Sequence, residues 1–252
     1  MICRIPSSSV RRVLFSLVFC GLFANFANAQ EPDPRQLLKR MSDEIAGLQS
    51  YIINGDAYSD ARLDAGLIIE HAAQATLRIR KPDLVRITNK TSEDVKELFF
   101  DSRILTVYTQ SKNFYGQTEI PGGAKAALDY AVTEMGIDLP MLDFVAGNLA
   151  ERLLANAIDV MHLGTSLIRG SICEHIVIRT PDIDIQLWIA TEGSPLPGKM
   201  SLSAKWDGGS PRTVVFMDWN ITPDFPNHAL QFEPPEGAIK IKFETQQASE
   251  EE

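Results

Sequence analysis

The sequence is short of cysteine and has no excess of basic residues. It has 252 residues with three cysteines, and its 24 lysines and arginines against 33 aspartates and glutamates give a net charge of −9. Proteins bind double-stranded nucleic acid mainly through its phosphates, so we expect no nucleic-acid partner for an acidic chain. Cys3 and Cys20 lie in the first thirty residues. Once that segment is removed, Cys173 has no partner for an intrachain disulfide.

Sequence motifs of catalysis and metal binding are also lacking. The histidines, His71, His162, His175 and His228, do not follow the spacing of a zinc-binding helix, and no C-x-x-C pair is present. There is no G-x-S-x-G motif of hydrolases and no glycine-rich phosphate-binding motif. The sequence therefore predicts no catalytic residue, no metal ligand and no cofactor, in a protein that is not an enzyme.

Three local patterns leave alternatives to this interpretation. Cys173 and His175 share one face of a predicted strand, as a Cys–His hydrolase would require, although a buried thiol is the commoner role of a single cysteine. Asp182 and Asp184 also share a face, which makes a calcium site an alternative. The glycine pair 122–123 precedes a helix, where backbone N–H groups bind anions, but a simple turn is the favoured interpretation.

The N-terminal segment has the pattern of a secretory signal peptide. Three arginines precede an apolar run over residues 13–27, and the run ends at Ala27-Asn28-Ala29, a typical cleavage site. The run is short for a membrane span, so an uncleaved anchor is the less favoured alternative. We predict cleavage after Ala29 and export of the mature protein.

The mature chain is predicted to form one α+β domain, mainly β, over residues 30–245. A disordered acidic tail follows over residues 246–252. The first predicted helix has Asp33 as its N-cap and ends near Gly47. Helical spacing of apolar residues predicts two more helices between about residues 121 and 157.

Strands are predicted on both sides of these two helices. Apolar and polar residues alternate there with a period of two, and short turns connect the segments, which is typical of antiparallel neighbours. One curved antiparallel sheet with the helices packed on its concave face satisfies this order. The predicted strands are residues 75–80, 85–88, 97–100, 104–109, 113–116, 172–178, 183–189, 199–206, 213–220 and 238–243.

Six short segments along the chain carry a family resemblance. They are R-K-P-D-L-V-R at 80–86, L-F-F-D at 98–101, N-F-Y at 113–115, D-I-D-I-Q-L-W-I at 182–189, L-P-G-K at 196–199 and F-E-P-P-E-G-A at 232–238. In this order they resemble the DUF2092 family of predicted periplasmic proteins, in the superfamily of the lipoprotein carriers LolA and LolB. The resemblance implies an open, incompletely closed antiparallel β-barrel, with helices across its mouth and an apolar hollow that shields acyl chains. One departure is Ser102, where the family usually has glycine.

The element order and the resemblance together predict an exported protein that binds or carries a hydrophobic ligand, and the resemblance implies that it does so in the periplasm. Its expected partners are a hydrophobic ligand or lipoprotein acyl chains, and a membrane-associated donor or acceptor protein. The alternative is a non-catalytic envelope interaction module with a fully packed core. Trp188 lies on the polar face of its strand, where it would be available to a partner, although buried packing is the commoner role of an indole. The candidate ligand-binding residues are Ile185, Leu187, Met200, Leu202, Leu142 and Val145.

Overall fold

The computed structural model describes five segments of the chain, residues 31–63, 66–137, 140–145, 147–205 and 211–242. The predicted signal peptide with its cleavage site, the strand residues Trp206 and Phe243, and the acidic tail lie outside the described residues. None of the described helices is long and apolar enough to cross a membrane.

The described residues form twelve β-strands and three α-helices. The helices are α1 (Pro34–Gly47), α2 (Gly123–Thr133) and α3 (Leu149–Leu154), and 3-10 turns cover Pro140–Phe144 and Asn227–Leu230. The strands are β1 (Ser50–Arg62), β2 (Ile68–Arg80), β3 (Leu84–Lys90), β4 (Val95–Asp101), β5 (Ile104–Thr109), β6 (Phe114–Glu119), β7 (Asp159–Ile168), β8 (Ser171–Arg179), β9 (Ile183–Ala190), β10 (Pro197–Ala204), β11 (Arg212–Asn220) and β12 (Ile239–Ile241).

All twelve strands belong to one sheet, in the order β12-β6-β5-β4-β3-β2-β1-β11-β10-β9-β8-β7. Strands β1 to β6 and β7 to β11 form two antiparallel meanders, which β1 joins by pairing with β11. The described residues of β7 and β12 do not pair with each other, so the sheet is open, as predicted. The last strand is an exception to the antiparallel pattern. It runs parallel to β6, because residues 221–238 first carry the chain across the sheet.

The sheet has an inner face, which the helices cover, and an outer face. Tyr51 and Ile53 of β1 point inward and are fully buried, and the register pairs Ile53 with Trp219 of β11. Directly paired residues share a face, so the alternation extends from strand to strand. The inner-face residues form one core with the buried stripe of α1, which contains Leu37, Leu38, Met41 and Ile45.

The helices that cover the sheet lie where the sequence predicts them, but α3 is shorter than predicted. Asp33 caps α1, because its side chain accepts a hydrogen bond from the Arg35 N–H at 2.9 Å. Residues 121–157 contain α2 and α3, as predicted, but α3 has only six residues. Gly147 and Asn148, immediately before it, have φ angles of 69° and 46°. This left-handed backbone interrupts the helical path and leaves a separate 3-10 turn upstream.

Residues 221–242, called here the C-terminal strap, cross the outer face of the sheet. The ring of Phe232 in the strap packs on three outer-face rings, those of Phe99, Tyr108 and Tyr115, at centroid distances of 5.3, 5.8 and 5.0 Å. The F-E-P-P-E-G-A segment therefore has a structural role: it covers β4 to β6 from outside and leads the chain into β12.

We expect Ser102→Gly to raise the free energy of unfolding by about 0.5–1 kcal/mol. Ser102 lies in the β4–β5 turn with φ at 77°, where a side chain is strained and glycine is not. Chemical denaturation measures the difference. Ser92→Gly in the β3–β4 turn is the control, because Ser92 does not have a positive φ. Glycine there adds only unfolded-state entropy and lowers stability. Equal effects of the two substitutions would contradict the explanation.

Candidate functional site

The six predicted ligand-binding residues all contribute to the packed interior of the covered face. Leu187 pairs with Met200 across β9 and β10, and both are nearly inaccessible, with 1% and 3% of their surface exposed. As ligand contacts they stay a prediction. The six, which belong to the core or pack partly buried against it, are Ile185, Leu187, Met200, Leu202, Leu142 and Val145.

A mainly apolar cleft of about 190 Å³ opens beside the end of α2. Its floor is a row of inward-facing residues, Ile87, Leu98 and Val107, which lie opposite one another on β3, β4 and β5. Met135 and Ile137, in the segment that follows α2, close it from the other side. Burial of apolar ligand surface here gains about 25 cal/mol per Å².

Three polar residues form the rim of this cleft, and a fourth, Glu97, also lines it but forms an ion pair with Arg86. Asn89, Lys96 and Thr109 lie opposite one another on β3, β4 and β5, two positions along each strand from the apolar row, so they share the inner face. The Lys96 side chain is exposed. The Asn89 Oδ1 atom is buried and has no hydrogen-bond partner among the described residues. The cleft thus combines an apolar floor with a polar rim, as amphiphile sites do.

A larger cavity of about 490 Å³ lies between α3 and the β8–β9 turn. Leu153 and Ile185 contribute apolar surface to it, but Asp182 and the ion pair of Arg152 with Asp143 also line it. An acyl chain placed there would remove water from charged groups without giving them new partners, which is unfavourable. The smaller cleft is therefore the better candidate for an apolar ligand.

The turn between β2 and β3 anchors both long helices of the cover. Lys81 Nζ donates to the carbonyls of Ile45 and Ala46 at the end of α1, at 2.8 and 2.7 Å. Asp83 Oδ1 accepts from the Ala124 N–H at the start of α2, at 3.0 Å. Each charge has the sign that its helix terminus favours. Partial burial lowers the pKa of Lys81. The R-K-P-D motif therefore caps two helices, the end of α1 and the start of α2.

Asp83 occupies the place where an external anion would bind at the start of α2. A Cβ atom at Gly123, where φ is 82°, would lie 2.7 Å from Asp83 Oδ1. Glycine at this position lets the carboxylate approach the helix. The glycine pair 122–123 therefore serves an internal cap, in agreement with the favoured interpretation of a turn.

The geometry of β8 does not support the hydrolase alternative. Cys173 and His175 share the outer face, but Cys173 is 1% exposed and its Sγ contacts the Ser171 carbonyl at 3.7 Å. Burial raises the pKa of its thiol, whereas a nucleophilic cysteine needs a lowered one. His175 Nε2 hydrogen-bonds Gln186 Oε1 at 3.0 Å, and its ring stacks on Trp188 at 4.3 Å.

The described residues do not assemble a metal site. They contain no group of three or more histidine, cysteine, aspartate or glutamate side chains placed to hold a metal ion. Of the two carboxylates considered for calcium, Asp184 forms an ion pair with Lys205 Nζ at 2.7 Å. A cation would have to displace this lysine.

Comparison with known proteins places the chain in a family. A family model described as "Predicted periplasmic protein (DUF2092)" matches residues 35–244. The chain belongs to the DUF2092 family. In this DUF2092 protein the R-K-P-D segment caps two helices and the F-E-P-P-E-G-A segment forms part of the C-terminal strap. Both motifs thus hold elements of the fold together. No curated protein sequence matches the chain.

Several solved structures resemble this DUF2092 protein at low sequence identity. The lipoprotein LppX of Mycobacterium tuberculosis is 13% identical, with 77% of this chain and 98% of that chain covered and a TM-score of 0.39. LprF of Mycobacterium bovis is 16% identical, with 82% and 99% covered and a TM-score of 0.45. The LolA superfamily protein NE2245 of Nitrosomonas europaea is 10% identical, with 80% and 98% covered and a TM-score of 0.40.

Sequence reasoning did not locate the cleft. Alternation shows that Ile87 and Val107 point inward, but not which part of the inner face the helices leave uncovered. That depends on where α2 ends, at Thr133. The available signal was the change from apolar to polar residues on the inner face, at Asn89 and Lys96, because fully covered strand positions seldom carry a charge.

Proposed function

We propose that this DUF2092 protein binds and carries a hydrophobic ligand with an acyl chain, and that it does so in the periplasm without catalysis. The mature protein would be a single domain over residues 30–245, released by cleavage after Ala29. The observation that supports this function is the apolar cleft between β3–β5 and the end of α2. Each methylene group moved from water into such a cleft gains about 0.8 kcal/mol.

The packing of α2 suits a movable cover. The helix contacts the core largely through alanines, Ala124, Ala127 and Ala131, with Leu128 as the one large buried residue among the described positions of the helix. Alanine buries little apolar surface, so separating this helix from the sheet costs less than separating the leucine-rich α1. Since Asp83 holds the start of α2, its far end is the part that moves. Such movement enlarges the cleft for a longer chain.

We expect saturable binding of a fluorescent long-chain fatty acid or fatty alcohol to the wild-type protein. Val107→Trp fills the cleft, because an indole ring occupies much of its volume, and should weaken binding about tenfold or more. Fluorescence titration measures both affinities. Val214→Trp on the outer face is the matched control and should bind as the wild type does. Leu202→Trp tests the residues predicted from the sequence in the same assay.

The outcome also decides between the carrier and the interaction module. The module is favoured by one observation, the exposure of Leu163 and Leu167 on the edge strand β7, at 55% and 72%. If neither probe binds the wild-type protein, the carrier function is wrong and the module remains. Loss of binding in Leu202→Trp but not in Val107→Trp would move the site to β9 and β10.

A further inference from the structure

We infer that the rim of the apolar cleft binds the head group of a single-chain amphiphile with one negative charge, through Lys96, Asn89 and Thr109. The inference rests on the proposed function and adds the head-group class to it. All ligands of this class have one acyl chain that ends in one anionic group, and a fatty acid with its carboxylate is the simplest example.

The register of three strands places this rim directly beside the apolar floor. Lys96 of β4 pairs with Asn89 of β3 on one side and with Thr109 of β5 on the other. Leu98, two residues further along β4, lies in the apolar row. Residues two apart on a strand are on the same face and about 7 Å apart. A head group at Lys96 therefore directs its chain over Leu98 into the cleft.

Lys96 forms no ion pair among the described residues, but its charge interacts with the carboxylate of Asp94. Glu97 lies on the outer face, where its Oε1 accepts from Arg86 Nη2 at 2.7 Å. Asp94, two residues before, accepts the Ser111 N–H at 3.0 Å. In a chain of net charge −9, the rim is therefore a local site of attraction for an anion.

Asn89 supplies a second polar contact that the protein itself leaves unused. In the described part of the chain its buried Oδ1 has no hydrogen-bond partner, which is unfavourable in the free protein. A side-chain amide presents either its oxygen or its NH₂ group when its last torsion turns by half a revolution. Because no hydrogen bond among the described residues holds this amide, its NH₂ group can be oriented toward a bound anion. The Thr109 hydroxyl is the third donor.

The size of the cleft limits the ligand to one chain. A volume of about 190 Å³ corresponds to roughly six water molecules at their share of liquid volume. The first segment of one acyl chain fits this space, and its remainder requires displacement of Met135 and Ile137. A second chain beside the first would need about the same space again.

The test compares ligands that share a chain but differ in head group. A long-chain fatty acid, the matching fatty alcohol and the matching alkyl trimethylammonium ion are titrated against the full mature protein. We expect the acid to bind best and the cation worst. Lys96→Gln should weaken acid binding about fivefold and leave alcohol binding unchanged. Lys96→Arg should restore it, and added salt should reduce the preference for the acid.

The matched control is Lys90→Gln, which removes the same charge from the outer face of β3. It should not change the affinity for the acid. Equal binding of acid and alcohol by the wild type, or equal effects of Lys96→Gln and Lys90→Gln, would overturn the inference while the carrier function stands. If none of the three ligands binds the wild type, the carrier function and the inference both fail. Unfolding midpoints of the two exposed lysine variants verify that each is folded.

Discussion

Trp188→Ala is expected to lower the free energy of unfolding by about 3–5 kcal/mol. The indole points to the outer face, as the alternation of β9 predicts, yet it is only 6% exposed. The His175 ring stacks on it at 4.3 Å, with the ring planes 14° apart, and Lys199 Nζ lies 4.3 Å from its centroid. Truncation removes both contacts and leaves a void between β8 and β10. Urea denaturation followed by circular dichroism measures the loss.

Trp188→Phe is the control for this effect, because it keeps an aromatic ring between His175 and Lys199 and should lose less stability. A loss below 1 kcal/mol for Trp188→Ala would show that the indole is not packed in this way. It would then be available to a partner, as the interaction module requires.

Phe232→Ala should destabilise the protein by about 2–4 kcal/mol and release the C-terminal strap. Phe232 is the aromatic anchor of the strap, with three rings within 5.8 Å of its own ring centroid. Without it, β12 is held to β6 mainly by three paired residues. Limited proteolysis of the variant should therefore cut within residues 221–242 before the rest of the domain.

Phe225→Ala is the matched control in the same strap. The Phe225 ring contacts one guanidinium group, that of Arg80, at 4.8 Å. We expect a smaller loss of stability and no change in the order of proteolytic cuts. If both variants release the strap equally, Phe232 is not its anchor.

The sequence predicted the sheet and its cover but not every strand. Strong alternation, as in β9 and β10, marks strands whose two faces differ in burial. The pattern of β1 is weak because Gly55 occupies an inward position. A Cβ atom there would lie 2.6 Å from Met141 Sδ of the 3-10 turn, so this close contact requires glycine. The inward apolar side chain that would have indicated a strand is therefore missing from the sequence. In β7 an irregularity between His162 and Thr165 shifts the alternation.

The sequence predicted that the candidate site is apolar and lies on the covered face of the sheet, but not where on that face it lies. The alternation correctly placed Leu187 and Met200 on the covered face. It does not show whether such a residue meets the protein's own helices or empty space, because that depends on packing between elements far apart in sequence. Val107 and Met200 have the same pattern along their strands, yet one lines the cleft and the other is in the packed core.

The pairing of β1 with β11 has a consequence for the order of folding. The first and last strands of the two meanders meet at the centre of the sheet, with register partners such as Ile53 and Trp219 drawn from opposite ends of the domain. Such a high contact order slows folding, since the loop between the partners must close before they interact. Until β11 has been synthesised, β1 has one unsatisfied edge. We expect chains truncated before Arg212 to aggregate rather than form half of the sheet.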